Sequence, residues 1–201
     1  LAGARAALSG GADVLVAQGN EAGGHTGRRG TLSLAAQVLG LAGEGPVLVA
    51  GGIATGRGLA AALALGAGGA VIGTRFKASN EFEGSAVLKE RIVASDGSDT
   101  LYDEIFDEAY GLDWPKQVTG RALRNRFTTE WEGRHEELRS AVAKLPPFGF
   151  AENLASDLER QINWAGESAG LVRAVQPARE IVAELVGDAE RRLRAVADLI
   201  G

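Results

Sequence analysis

Apolar residues form short unbroken runs in the first third of the chain and fall at spaced positions afterwards. Ala12 to Val16 is a short apolar run ending at Ala17-Gln18-Gly19, which predicts a strand buried in a parallel sheet. Thr31 to Leu41 then sets Leu32, Ala35, Ala36 and Leu39 at helical spacing. Pro46 to Ala50 predicts a second buried strand, stopped by Gly51-Gly52, and Gly58 to Leu65 a helix built mostly of Ala and Leu. Gly69 to Ile72 predicts a third strand, ending at Gly73-Thr74-Arg75. Three strand–helix units with short connections and runs of about five residues argue for an α/β parallel sheet of the barrel type.

After Phe76 the pattern changes. The chain becomes charged and aromatic and carries all its tryptophans, Trp114, Trp131 and Trp164. Phe82 to Ala94 predicts an amphipathic helix. Tyr102, Ile105, Phe106, Tyr110, Leu112 and Trp114 form an apolar cluster before the turn at Pro115, expected to pack a helical portion. Pro146-Pro147 breaks the helices, and Pro177 to Ile200 predicts a terminal amphipathic helix interrupted near Gly187. The expected organisation is a barrel portion over residues 1–80, a helical subdomain over 81–165 and a helical segment over 166–201.

Composition narrows the function classes. A net charge of -5 offers no basic footprint for nucleic acid or an anionic membrane surface. No apolar run approaches the roughly 20 residues of a membrane span, and no signal-peptide pattern opens the chain, so a cytoplasmic protein is expected. The absence of cysteine excludes disulfides, thiolate metal sites and cysteine nucleophiles within these residues. The chain begins at Leu1 and contains no methionine, which predicts a piece of a longer protein. Glycine makes up 29 of 201 residues, close to twice the usual share of about 7%. The glycines crowd at the predicted strand ends, where chemistry sits in such folds.

Three loops stand there: Gln18 to Gly27, Ala50 to Gly56, and Gly73 to Phe76. Glycine after a strand lets a ligand approach the backbone and frees amide N–H groups to donate. A following helix adds partial positive charge, so a phosphate is the natural guest. Gly51-Gly52 and Gly73-Thr74 fit the phosphate site that barrels build from the loops after their last two strands. His25 lies in the first loop, and a histidine's near-neutral pKa suits proton transfer. His135, in a charged helical stretch, reads as a solvated residue. Glu21 reads as a solvent-facing loop carboxylate, and Arg75 as a partner of phosphate or of an acid.

These loops, in this order and with a histidine in the first, resemble the nitronate monooxygenase family, as do Arg121 to Asn125 and Trp164 to Gly170. The resemblance runs from about Gly11 to about Leu171. It implies non-covalent FMN in a (β/α)8 barrel of which this chain holds the last three strands, with an appended helical subdomain. Carried over, Gln18 hydrogen-bonds the flavin and the Gly23-Gly24 backbone passes close to it. Gly51, Gly52, Gly73 and Thr74 hold the phosphate, with main-chain contacts from Val71 and Ile72. His25 becomes the active-site histidine, and the substrates a nitronate or nitroalkane and molecular oxygen. Flavin-dependent enoyl-acyl-carrier-protein reductases and NADH:quinone reductases share these loops, so both stay open, as does an inactive fragment. Inosine monophosphate dehydrogenase shares the glycine pair but needs a cysteine nucleophile that this chain lacks.

Overall fold

A computed structural model describes residues 1–144 and 157–200; the predicted break at Pro146-Pro147 lies outside the described residues. Helix α1 (Ala2–Ser9) leads into β1 (Leu15–Gln18), β2 (Gly24–Thr26) and α2 (Thr31–Ala42). Then come β3 (Val47–Ala50), α3 (Gly56–Ala64), β4 (Gly69–Val71), α4 (Thr74–Lys77), α5 (Ala86–Ala94) and β5 (Thr100–Asp103). Helix α6 (Ile105–Tyr110), β6 (Thr119–Leu123), α7 (Arg126–Trp131) and α8 (His135–Val142) follow, then a 3-10 turn over Glu167–Leu171 and α9 (Ala178–Ile200).

The strand–helix units read from the apolar runs assemble as a parallel sheet in the order β1-β3-β4. The register places Gln18 beside Ala50 and Ala50 beside Val71, so the three strand ends lie in one row. One face, with Leu15, Ala17, Val47 and Val49, packs with Ala35 and Val38 of α2 and Ala62 of α3. The opposite face is open. Val16 is 51% exposed and Val71 44%, although parallel sheets are normally covered on both faces. Each such valine forgoes part of the about 1.5–3 kcal/mol that full burial contributes. Strands β1 and β4 also leave their outer edges unpaired among the described residues. Residues 1–201 produced alone are therefore expected to bind a hydrophobic dye and to aggregate. A dye-silent monomer that unfolds cooperatively would count against this.

The helical portion expected after residue 80 is instead mixed. Strands β5 and β6 join β2 in an antiparallel sheet ordered β2-β6-β5, which ties residues 24–26 to residues 119–123 across the boundary expected at residue 80. Every residue of β6 is buried, and no alternation marks it as a strand; its pairing comes from β2 and β5. The aromatic cluster divides. Ile105 and Phe106 are buried with Phe127 and Leu138, whereas Leu112 and Trp114 are exposed. Helix α9 runs unbroken through Gly187. The roughly 1 kcal/mol cost of a helical glycine is offset by Ile181, Leu185 and Ala189, which are buried. An ideal Cβ on Gly56 of α3 would lie 2.5 Å from Cβ of Asp188, so that glycine permits the close approach of α3 and α9.

Candidate active site

The open face ends in a cavity of about 240 Å³ at the row of strand ends. Gln18, Gly23, Gly51, Gly52, Val71, Gly73 and Thr74 all line it. Gly24 and Ile72 do not, and His25 lines a second cavity; the two share the wall formed by Trp164.

The glycines have distinct reasons. Gly51 and Gly52 take φ values of 106° and 72°, the left-handed region that side chains avoid. A Cβ on Gly23 would sit 2.6 Å from the Ala165 backbone, so its bareness serves chain packing. Gly73 differs: its φ is -90° and nothing lies within 4 Å of where a Cβ would stand. Gly73 also lines the cavity. Thr74 is not a side-chain N-cap; its Oγ1 accepts the Gly166 N–H at 2.9 Å, and its own proton stays available to a ligand. Helix α4 is a single turn, so amide and hydroxyl donors, not a long helix dipole, define this end of the cavity.

Other sequence readings change. Glu21 is not solvent-facing: its Oε1 accepts the Thr31 N–H at 2.7 Å, supplying the cap that Gly30 cannot give α2. Arg75 is buried and turned away from the cavity, donating to the Ala174 carbonyl at 3.2 Å and to the Gln176 side chain. His135 is half-buried, 2.8 Å from Glu108, whose hydrogen bond raises the His135 pKa.

Six further residues line it without a role read from the sequence: Ala22, Ala50, Ile53, Lys77, Trp164 and Ser168. The Trp164 to Gly170 stretch carried a signal but no role. It reaches the cavity because the Glu167 N–H donates to the Glu21 carbonyl at 3.0 Å and Arg121 bridges Glu167 and the Asn20 carbonyl.

His25 sits on β2 opposite Gly120 of β6. Its Nε2 lies 2.8 Å from Oδ1 of Asp107, which α6 holds almost fully buried. The imidazole stacks on Trp114 with centroids 4.1 Å apart and tilts against Trp164 at 5.0 Å. A Cβ on Gly120 would lie 2.6 Å from the Trp164 ring, so that glycine makes room for the indole. Burial raises the Asp107 pKa, and the hydrogen bond and charge of His25 oppose that rise. Asp107 lies 82 residues from His25 in sequence, and nothing in the pattern around it marks a partner. The Tyr102 hydroxyl, at 2.9 Å from the Thr26 and Gly27 carbonyls, fixes the end of β2.

Strand-end glycines around one cavity, beside a half-buried histidine paired with a buried aspartate, give an α/β scaffold with the layout of an enzyme site. Comparison with known proteins makes the class specific. The nitronate monooxygenase family model matches residues 1–188. Nitronate monooxygenase npaC of Metarhizium robertsii is 38% identical over 92% of this chain and 54% of its own length. Among solved structures, FabK from Thermotoga maritima superposes with a TM-score of 0.82 at 31% identity, over 98% of this chain and 60% of that one. A nitroalkane oxidase from Streptomyces ansochromogenes gives 0.74 at 31% identity, over 96% and 56%. The chain belongs to the nitronate monooxygenase family of oxidoreductases, and it spans about half the length of the curated relatives it matches.

Proposed function

We propose that this chain supplies the phosphate-binding and proton-handling parts of an FMN-dependent nitronate monooxygenase, and that β1, β3 and β4 are the last three strands of its (β/α)8 barrel. The observation that carries this reading is the shared Trp164 wall: it sets the His25–Asp107 pair beside the glycine-lined cavity. The cavity fits the phosphate end of a flavin nucleotide in its donors, namely open backbone at Gly73, the Thr74 hydroxyl and the Lys77 ammonium. At about 240 Å³ it is smaller than the roughly 300–1,000 Å³ of pockets that enclose a whole ligand, as expected of one part of a larger site.

When bound, FMN would supply the one-electron oxidation of the nitronate and the reaction with molecular oxygen. The residues of this chain do the rest. Gln18, at its strand end, offers an amide to the flavin. An ionised Asp107 accepts the Nε2 proton of His25 and fixes that tautomer, so the lone pair stands on Nδ1. That nitrogen takes the carbon-bound proton of a nitroalkane, and Trp114 and Trp164 keep the ring oriented and shielded from water. Phe106, Tyr110 and Ile162, which line the second cavity, suit a small apolar substituent. No helix among the described residues is long and apolar enough to cross a membrane.

The chain in its full-length context should be yellow, release FMN on denaturation and consume oxygen with a nitronate. NADH oxidation with a quinone or an enoyl thioester, without oxygen uptake on nitronates, would replace this reading with a reductase. Asp107→Asn is expected to leave flavin content unchanged and to lower nitroalkane turnover. An amide can donate to Nε2 and favour the opposite tautomer, a change that costs a triad histidine up to about 10⁴-fold. Unchanged turnover would show that His25 needs no such partner.

A further inference from the structure

We propose that the Lys77 ammonium is the counter-charge for the phosphate of the bound flavin and makes the site select a phosphorylated flavin over riboflavin. This rests on the flavin reading above and deepens it. Lys77 ends α4, one turn beyond Gly73 and Thr74, and lines the same cavity. Among the described residues it is the only charged side chain in that lining. Its Nζ donates to Oδ1 of Asn163 at 2.9 Å and to the Trp164 carbonyl at 2.8 Å. Both acceptors are neutral, so they place the ammonium without cancelling its charge. An ammonium has three N–H donors; two serve Asn163 and Trp164, the Phe82 ring stands 5.8 Å from Nζ, and the third donor has no hydrogen-bond acceptor among the described residues.

A cation taken out of water is costly unless an anion joins it. Burial lowers the Lys77 pKa to about 8, and no charged neighbour contributes to that shift. The other basic side chain of this turn, Arg75, is already spent on the Ala174 carbonyl and Gln176. The anion is therefore sought from the cavity side, where Gly73 leaves open backbone and Thr74 a free hydroxyl proton. A phosphate monoester offers charge and three acceptor oxygens to this donor set; riboflavin offers the same ring system without the charge.

The test uses the full-length protein stripped of flavin and titrated with FMN and with riboflavin, read by flavin fluorescence. Wild type should prefer FMN by at least about 10-fold, and Lys77→Met should weaken FMN about 10–100-fold, the range for a charge-assisted hydrogen bond. Riboflavin affinity should be the same for both proteins, and Lys77→Arg should recover part of the FMN preference. Equal loss of both flavins in the Met variant would assign Lys77 to holding Asn163 and Trp164 and overturn the proposal, as would unchanged FMN affinity. The wild-type preference is read without any variant, so a Met variant that fails to fold still leaves the proposal testable: equal wild-type affinities sink it. Wild type that binds neither flavin overturns the flavin reading and this inference with it.

Discussion

Replacing His25 with Asn is expected to cut turnover of a neutral nitroalkane by about 10²–10⁴-fold, the usual cost of removing a positioned general base. FMN content should stay near wild type, because His25 lines the cavity on the other side of Trp164 from Gly73 and Thr74. Turnover of a preformed nitronate should fall less, since that substrate has already lost its proton. The imidazole is not a loosely held surface group: its side chain is 17% exposed, bonded to Asp107 and stacked on Trp114. Asn cannot accept the substrate proton at this position. Equal losses on both substrates would assign His25 to binding or electrostatics, and no loss on either would remove it from the mechanism.

Gly73→Leu is expected to yield a folded protein that purifies with little or no flavin. At a φ of -90° the backbone accepts any residue, and nothing lies within 4 Å of where the new Cβ would stand. The leucine would occupy the volume proposed for the phosphate and bury no new partner there. Gly52 is a poorer probe. Its φ of 72° strains any substitution, and a Cβ would strike the Glu21 carboxylate that caps α2. Loss of flavin from a Gly52 variant would therefore mix ligand exclusion with damage to the loop. A Gly73→Leu protein with wild-type flavin content and a wild-type melting temperature would falsify the phosphate assignment.

The two variants report on opposite sides of Trp164. Loss of flavin without loss of fold marks the glycine-lined side, and loss of proton transfer without loss of flavin marks the histidine side. A protein in which both changes removed flavin would mean that Trp164 and the Gly120 contact beneath it transmit damage between the cavities.

Local pattern determined the parallel unit of this protein. Continuous apolar runs at β1, β3 and β4, with glycines where each run stops, can be satisfied by strands whose ends open onto a ligand, and the register puts Gln18, Ala50 and Val71 in one row. Seven of the nine residues expected to hold the flavin then meet in one cavity, because strand ends follow from period and punctuation, and parallel pairing sets those ends side by side. The antiparallel sheet was not legible in the same way. Its strands β2, β5 and β6 are short, carry Gly, Thr and Asp, and are stabilised by pairing across roughly 95 intervening residues between β2 and β6 and roughly 20 between β5 and β6. No local window contains the partner of β2, and no tight-turn signal joins β5 to β6, since α6 lies between them. The same holds for the chemistry of single side chains. Glu21 looked like a loop carboxylate until the fold placed it at the bare N-terminus of α2. Arg75 and Lys77 sit two residues apart on one turn, and only packing decided that the first faces the C-terminal segment while the second faces the cavity. The sequence thus determined where a ligand would approach backbone, since glycine placement is a local property. Tertiary structure alone decided which charges and which acid would stand around it, since burial and partnership are set by residues far apart in the chain.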